Sequence, residues 1–438
     1  MILLAAGVAV AFALWAVIAA PVWVVRCREA GGHWALAGIV YLSGPVNAVI
    51  QLTYPGGTPG GFSLLLARGN TIAAWTLGVV ALLSAFRTPR RGQGLLLGAV
   101  VAFYGALLLS CVIGYQPAPP PEEYFITPLL VLPFVLHGGY EWRWLVTVLR
   151  RALRAIVVLS LASIPLLPSI AYDPECCREL FGIERIQGIT GHPNTLAILA
   201  CFAVILELRG GRLIWLVPEL AAMLVAQSTT SWVALALGLL VIAGRLGRTA
   251  RAVAITVGLC AVVFAVTDRQ LVNDFFPPEF WTFTGRTTIW QAALAGFFLS
   301  PFTGYGPNLL DAQYRAEYLG VFDAAGQAHN QIVQTLGGTG LIGMACLVAV
   351  LVGLVRGASR AAAATAGLSV ALLVAFGARL LSETPLNPQG STATLLLLLA
   401  LFGITSAGSS PVVRSTDGIG GEPGIRERRT DRAQEVTA

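Results

Sequence analysis

Arginine and histidine side chains in two polar stretches are the groups of this 438-residue chain best placed to do chemistry. Arg185 lies in the stretch Tyr172 to Asn194, and Arg286 and His329 lie in the insert Asp268 to Asn330, in a sequence otherwise almost entirely apolar. Arginine brings a permanent charge and a planar fork of donors that matches phosphate oxygens. Two such residues beside a membrane could bind a lipid-linked pyrophosphate and stabilise it as a leaving group without a metal. Histidine is the natural base for an acceptor hydroxyl near neutral pH. The combination suggests glycosyl transfer from a polyprenyl pyrophosphate.

The same stretches carry Arg178, His192, Arg269 and Arg315. An arginine at the outer end of a membrane helix commonly rests among lipid headgroups, which is the plainer reading of Arg178, Arg269 and Arg315. His192, just before Pro193 and Asn194, could simply shape the turn that opens the next helix. His329 could likewise be a helix N-terminal residue satisfied by a loop carbonyl. The sequence has no DxD pair, no phosphate-binding glycine loop of the Walker type and no GxSxG elbow, so a metal-dependent or ATP-driven reading has no residues to stand on. No metal or cofactor is implied.

The elements that must position these residues are membrane helices. The chain is 56% hydrophobic and 11% charged, with a mean hydropathy of +0.75, which is membrane composition. Backbone in lipid is satisfied by helices, so recurring apolar runs predict an all-α polytopic membrane protein. The runs fall at 2–25, 34–53, 64–86, 93–114, 124–137, 144–171, 192–208, 212–226, 229–244, 250–267, 331–355, 361–381 and 392–407. Four of them (124–137, 212–226, 229–244 and 392–407) are short for a span, giving about 12–13 transmembrane helices. Run 2–25 is too long, and too poor in preceding basic residues, for a cleaved signal peptide. The region 1–405 reads as a single transmembrane domain, and 406–438 as a disordered tail.

Arginine falls in every second loop: Arg26 and Arg28, Arg87 to Arg91, Arg143 to Arg154, Arg209 and Arg212, Arg245 to Arg251, Arg356 and Arg360, and the tail. By the positive-inside rule these loops are cytoplasmic. The net charge of +6 therefore reflects membrane topology and implies no nucleic-acid partner. The polar segments 172–191 and 268–330 fall on the extracytoplasmic face, the second forming a large loop whose dense aromatics suit the bilayer surface. Cys176 and Cys177 sit in the first of these loops as a vicinal bridge or two thiols. Glu219 is a carboxylate inside a predicted span, either functional or closer to the cytoplasmic surface than the boundaries say.

Arg185-Ile-Gln-Gly188-Ile-Thr-Gly-His-Pro193-Asn194, then Thr284-Gly285-Arg286, then Gly304-Tyr305-Gly306 followed by His329-Asn330 and Gly340-Leu341-Ile342-Gly343 form an ordered set. In residues and topology it resembles the O-antigen ligase and polymerase-like family, from about residue 180 to 360. The resemblance implies a GT-C-like, inverting, metal-independent glycosyltransferase of the inner or plasma membrane, multi-pass, with its active site on the extracytoplasmic face. The donor would be a glycan on undecaprenyl pyrophosphate. The acceptor would be a hydroxyl of a glycan, lipid or protein, with membrane lipids as surroundings. By the same resemblance His329 would be catalytic, and Arg185 and Arg286 would bind the donor. Asn194, Tyr305 and Asn330, in the same motifs, would contact substrate. Family members usually have about twelve spans with both termini inside, whereas this chain reads as thirteen with the N-terminus outside. Many also carry a basic residue in a Ser-rich segment, where this chain has Ser228-Thr229-Thr230-Ser231-Trp232. A lipid-linked glycan flippase or transporter is the alternative, with Glu219 as a coupling site.

Overall fold

A computed structural model of the chain describes residues 32–53, 60–87, 94–137, 140–172, 184–243, 252, 255–256, 286–319, 326–387 and 392–408. The predicted run 2–25, most of the run 250–267, the Cys176–Cys177 pair and residues 268–285 lie outside them, as does 409–438. The described elements are helical: α1 His33–Gln51, α2 Phe62–Arg87, α3 Gly94–Ile113, α4 Glu123–Leu136, α5 Trp142–Leu166, α6 Pro193–Leu208, α7 Leu216–Ala226, α8 Thr229–Ile242, α9 Arg286–Leu299, α10 Ala312–Tyr318, α11 Gln331–Ala361, α12 Leu368–Ser382 and α13 Thr392–Gly408. The protein is an all-α polytopic membrane protein. Four helices, α1, most of α2, α3 and α11, are long and apolar enough to cross a bilayer.

Apolar periodicity accounts for the packing. α6 is hydrophobic all round and buried from Thr195 to Leu208, the pattern of a helix enclosed on every side. Around it stand α5, α7, α8, α12 and α13. α1 widens into a π turn at Leu42–Val46, where Pro45 cannot supply a backbone donor. Helix α13 runs to Gly408, with Thr405 and Ser406 fully buried, so it takes in the first residues of the stretch 406–438. The Thr405 hydroxyl bonds back to the Leu401 carbonyl, which satisfies it inside the bundle.

Five of these helices are short: α6, α7, α8, α12 and α13 have 16, 11, 14, 15 and 17 residues. At about 1.5 Å per residue they reach roughly 16–26 Å, less than a hydrocarbon core of about 30 Å. Helix α11 departs from a straight rod. At Gly340 the backbone turns to φ 63°, ψ −156°, and an ideal Cβ on Gly343 would lie 3.4 Å from Thr335 Cγ2. Eight residues of straight helix would separate those positions by about 12 Å, so the two arms fold toward each other. The apolar run predicted as one straight span is thus a bent helix.

The break is held by the 300–306 turn. In an unbroken helix the Leu341 and Ile342 amides would donate to the Gly337 and Gly338 carbonyls. Here those carbonyls accept from Tyr305 N (2.8 Å) and Gly306 N (3.1 Å), while Leu341 N and Ile342 N donate to Pro301 O (2.8 Å) and Phe302 O (3.1 Å). All four groups are satisfied, the condition for irregular backbone inside a membrane protein. The turn also meets the end of α3, through Tyr115 N to Gly304 O (3.0 Å) and Gln116 N to Tyr305 O (2.8 Å). The described part of the large insert is therefore built into the bundle instead of resting on it. Only glycine suits residue 340, since a Cβ would lie 2.5 Å from the Phe302 carbonyl carbon. Gly340→Ala should destabilise the protein by at least about 1–3 kcal/mol, read as lower yield and a lower melting temperature of purified protein.

The C-terminal end of α6 meets the arginine-rich loops. Arg150 caps it by donating to the carbonyls of Leu206 (3.0 Å), Arg209 (3.0 Å) and Gly210 (3.1 Å), and Arg154 pairs with Glu207 at 2.6 Å. Glu219 sits in the first turn of α7, fully buried, facing Glu207, Arg154 and Arg150. Of the two readings of this residue, the one that puts it nearer the arginine-rich loops agrees with its place.

Candidate active site

At the N-terminal end of α6, five segments bring polar groups together. The first is the stretch before α6. Ile186 N donates to Val225 O (3.0 Å) and Gln187 N to Ala171 O (2.8 Å), pinning this strand of chain between α7 and the turn after α5. Gly188 (φ +57°) presses on Ser160, where an ideal Cβ would come within 2.3 Å of the Ser160 Cβ, so no larger residue fits. Arg185 then turns inward, 9% exposed. Its Nε donates to the Ala226 carbonyl at the end of α7 (3.2 Å), and Nη2 donates to Asn194 Oδ1 (3.0 Å).

His192 is the N-cap of α6, its Nδ1 accepting from Asn194 N (3.2 Å), so it does shape the turn that opens the helix. Asn194 passes the contact on, its Nδ2 donating to Glu383 Oε1 (3.2 Å). Glu383 follows the last residue of α12 and is 5% exposed. It also accepts from Gln327 Nε2 (3.2 Å), lies 3.7 Å from Arg379 Nη1, and bonds His329 Nδ1 at 2.8 Å. Arg286, the first residue of α9, donates to the Ser382 carbonyl beside it (3.2 Å). Three of the predicted residues, Arg185, Asn194 and His329, thus meet through one carboxylate, with Arg286 at its neighbour.

Burial alone would push the Glu383 carboxyl up; Arg379, the His329 hydrogen bond and Arg286 outweigh it and hold the group well below the usual carboxylate range. It is therefore ionised throughout the working range, and it fixes the imidazole. A carboxylate on Nδ1 selects the tautomer with the proton there and leaves Nε2 to take one. His329 itself is held at φ 47°, a left-handed conformation uncommon outside glycine. The next residue, Asn330, is the N-cap of α11: its Oδ1 accepts from Ile332 N (2.9 Å) and Val333 N (3.2 Å). Its Nδ2 donates to Leu381 O (3.4 Å), so this side chain fastens the arm to α12. Trp290 Nε1 donates to Ala328 O (2.8 Å) and ties α9 to the same segment.

Tyr305 is placed elsewhere. It is 4% exposed among Ala292, Ala293, Leu309 and Tyr314, with its ring 4.6 Å from that of Tyr314. Burial, then Tyr318 and Glu317, raise its hydroxyl to about 12, so it stays protonated. The structure places Arg315 on α10, apart from the Glu383 contacts described above. Glu383, Gln327 and Arg379 were not singled out from the sequence. Arg379 was findable as an ionisable residue inside the predicted span 361–381, where such groups mark function.

Glu383→Gln should leave the imidazole without its anion and lower kcat by about 10²–10⁴-fold. Because the folded pKa is depressed, the carboxylate stabilises the fold above the unfolded value of about 4.3, and that contribution disappears as pH falls below it. Melting temperature followed from pH 7 to 3 should consequently fall less steeply below pH 4.3 in the variant than in the wild type.

Residues 213–348 match the family model for O-antigen ligase. The matched segment contains Arg286 and His329, while Arg185, Asn194 and Glu383 lie outside it. A search of curated proteins returns no match.

Proposed function

We infer, from the premise that this chain is an O-antigen ligase-like membrane protein, that it transfers a glycan from a polyprenyl pyrophosphate, in bacteria undecaprenyl pyrophosphate, to an acceptor hydroxyl. The observation that carries the reading is the contact between His329 Nδ1 and the buried carboxylate of Glu383 (2.8 Å), with Arg185 and Arg286 within the same group of contacts. Such a pairing suits a base, and the guanidinium groups suit a diphosphate.

The acceptor hydroxyl gives its proton to His329 Nε2 as its oxygen bonds the anomeric carbon. The carbon–oxygen bond to pyrophosphate breaks on the opposite face, which inverts the configuration. Charge that develops on the departing pyrophosphate is balanced by Arg185 and Arg286 without a metal. Glu383 stabilises the imidazolium that forms and does not itself move a proton. The site contacts gather at the N-terminal end of α6, opposite the arginine-capped one, and by the positive-inside rule this end faces the outside of an inner or plasma membrane. The acceptor is a glycan in a polymerase, or a lipid or protein in a ligase.

Transfer of glycan between carriers by protein purified in detergent tests the reading. A flippase needs two sides of a membrane and does nothing measurable there, so product formation without a bilayer supports the enzyme. Absence of product alongside translocation in vesicles would favour the transporter.

A further inference from the structure

Helix α12 carries a buried guanidinium that the fold leaves incompletely bonded. Arg379 is 3% exposed, and its Nε and Nη1 have no hydrogen-bond partner among the described residues. Its charged neighbours are Glu383, 3.7 Å away from Nη1 and beyond hydrogen-bond reach, and Arg286. A buried charge without donors satisfied is costly, and buried charges are ordinarily paired. Here the second cation, Arg286, makes the balance worse. Arg185 is joined to Glu383 through Asn194. Among the described residues that join these contacts, three guanidinium groups thus stand against one buried carboxylate. Glu207 and Glu219 lie at the other end of α6 and do not offset it.

We propose that Arg379 is a third ligand of the donor pyrophosphate, whose two phosphates bring the charge that the cluster lacks. This rests on the reading of Arg185 and Arg286 as donor-binding residues and adds to it a residue outside the segment matched to the family. An anion between Arg379 and Arg286 takes up the buried, unbonded Nε and Nη1 donors, and the planar fork favours two phosphate oxygens over one. Glu383 stays with His329 and Asn194. The empty site is therefore strained by like charge, and the occupied one is relaxed.

The test uses the full chain purified in detergent and its thermal midpoint with undecaprenyl pyrophosphate, inorganic pyrophosphate or phosphatidylglycerol added. Arg379→Met should melt at or above the wild-type midpoint without ligand, lose the upward shift given by either pyrophosphate, and raise the donor KM at least tenfold with the acceptor KM unchanged. Arg379→Lys keeps the charge without the fork and should raise donor KM at least threefold at an unchanged midpoint. A lowered ligand-free midpoint or failure of Arg379→Met to accumulate would mark a purely structural partner of Glu383 and overturn the inference, as would an unchanged donor KM in Arg379→Lys. An equal shift with phosphatidylglycerol would overturn the donor as the occupant. If Arg185→Gln and Arg286→Gln lose the shift while Arg379→Met keeps it, only this inference fails. If all three keep it, the donor-binding reading itself fails.

Discussion

A strain whose only copy of the protein carries His329→Ala should lose the glycan it attaches or extends, with the protein present in its membranes at the wild-type level. The expected loss is large because general base catalysis contributes about 10²–10⁴-fold, and among the described residues no other imidazole or carboxylate joins the contacts that Glu383 makes with His329 Nδ1 (2.8 Å). Folding should survive the change. The N-cap of α11 is Asn330, whose Oδ1 holds two amides, and the bend at Gly340 is secured by the 300–306 turn, so neither depends on the imidazole. Glu383 keeps Asn194 and Gln327 as donors. Quantified surface polysaccharide beside an immunoblot of membranes checks the result. Normal glycan at normal protein level would remove His329 from the chemistry.

The second large effect belongs to Arg286. Arg286→Gln should reduce kcat by about 10²–10³-fold, the usual consequence of removing a group that stabilises charge developing on a leaving group. The fold loses one bond, Nη1 to the Ser382 carbonyl (3.2 Å), so destabilisation should be limited to about 1–3 kcal/mol. Single-turnover rates with saturating donor separate this from weakened binding, since a residue that acts on the leaving group slows the step after binding. Arg286→Lys, which retains charge but loses the fork, should recover part of the rate.

Helices were legible in the sequence because apolar runs of the right length admit little else in lipid. Predicted boundaries such as 64–86, 93–114 and 192–208 fall close to α2, α3 and α6. The bend in α11 was not legible. A glycine in an apolar run is compatible with a straight helix, and the break at Gly340 exists only because residues 301–306 supply four replacement hydrogen bonds. The candidate site divides in the same way. Arg185, Arg286 and His329 stood out as polar groups beside turns and Asn194 through the family resemblance, and the structure groups them. Glu383 did not, because a single acid after a predicted span looks like any loop residue until its burial and its four polar neighbours are seen. Tyr305 and Asn330 show the converse: they share the motifs of the site, yet one is packed against Tyr314 and the other caps a helix.

The central claim is that His329, oriented by Glu383, takes the acceptor proton while the arginines hold the donor. It is tested most directly by measuring donor binding and single-turnover transfer on one purified sample of His329→Ala. The account predicts wild-type affinity for the undecaprenyl pyrophosphate-linked glycan and transfer slowed by about 10²–10⁴-fold. Transfer at the wild-type rate by a sample that binds donor normally would contradict it.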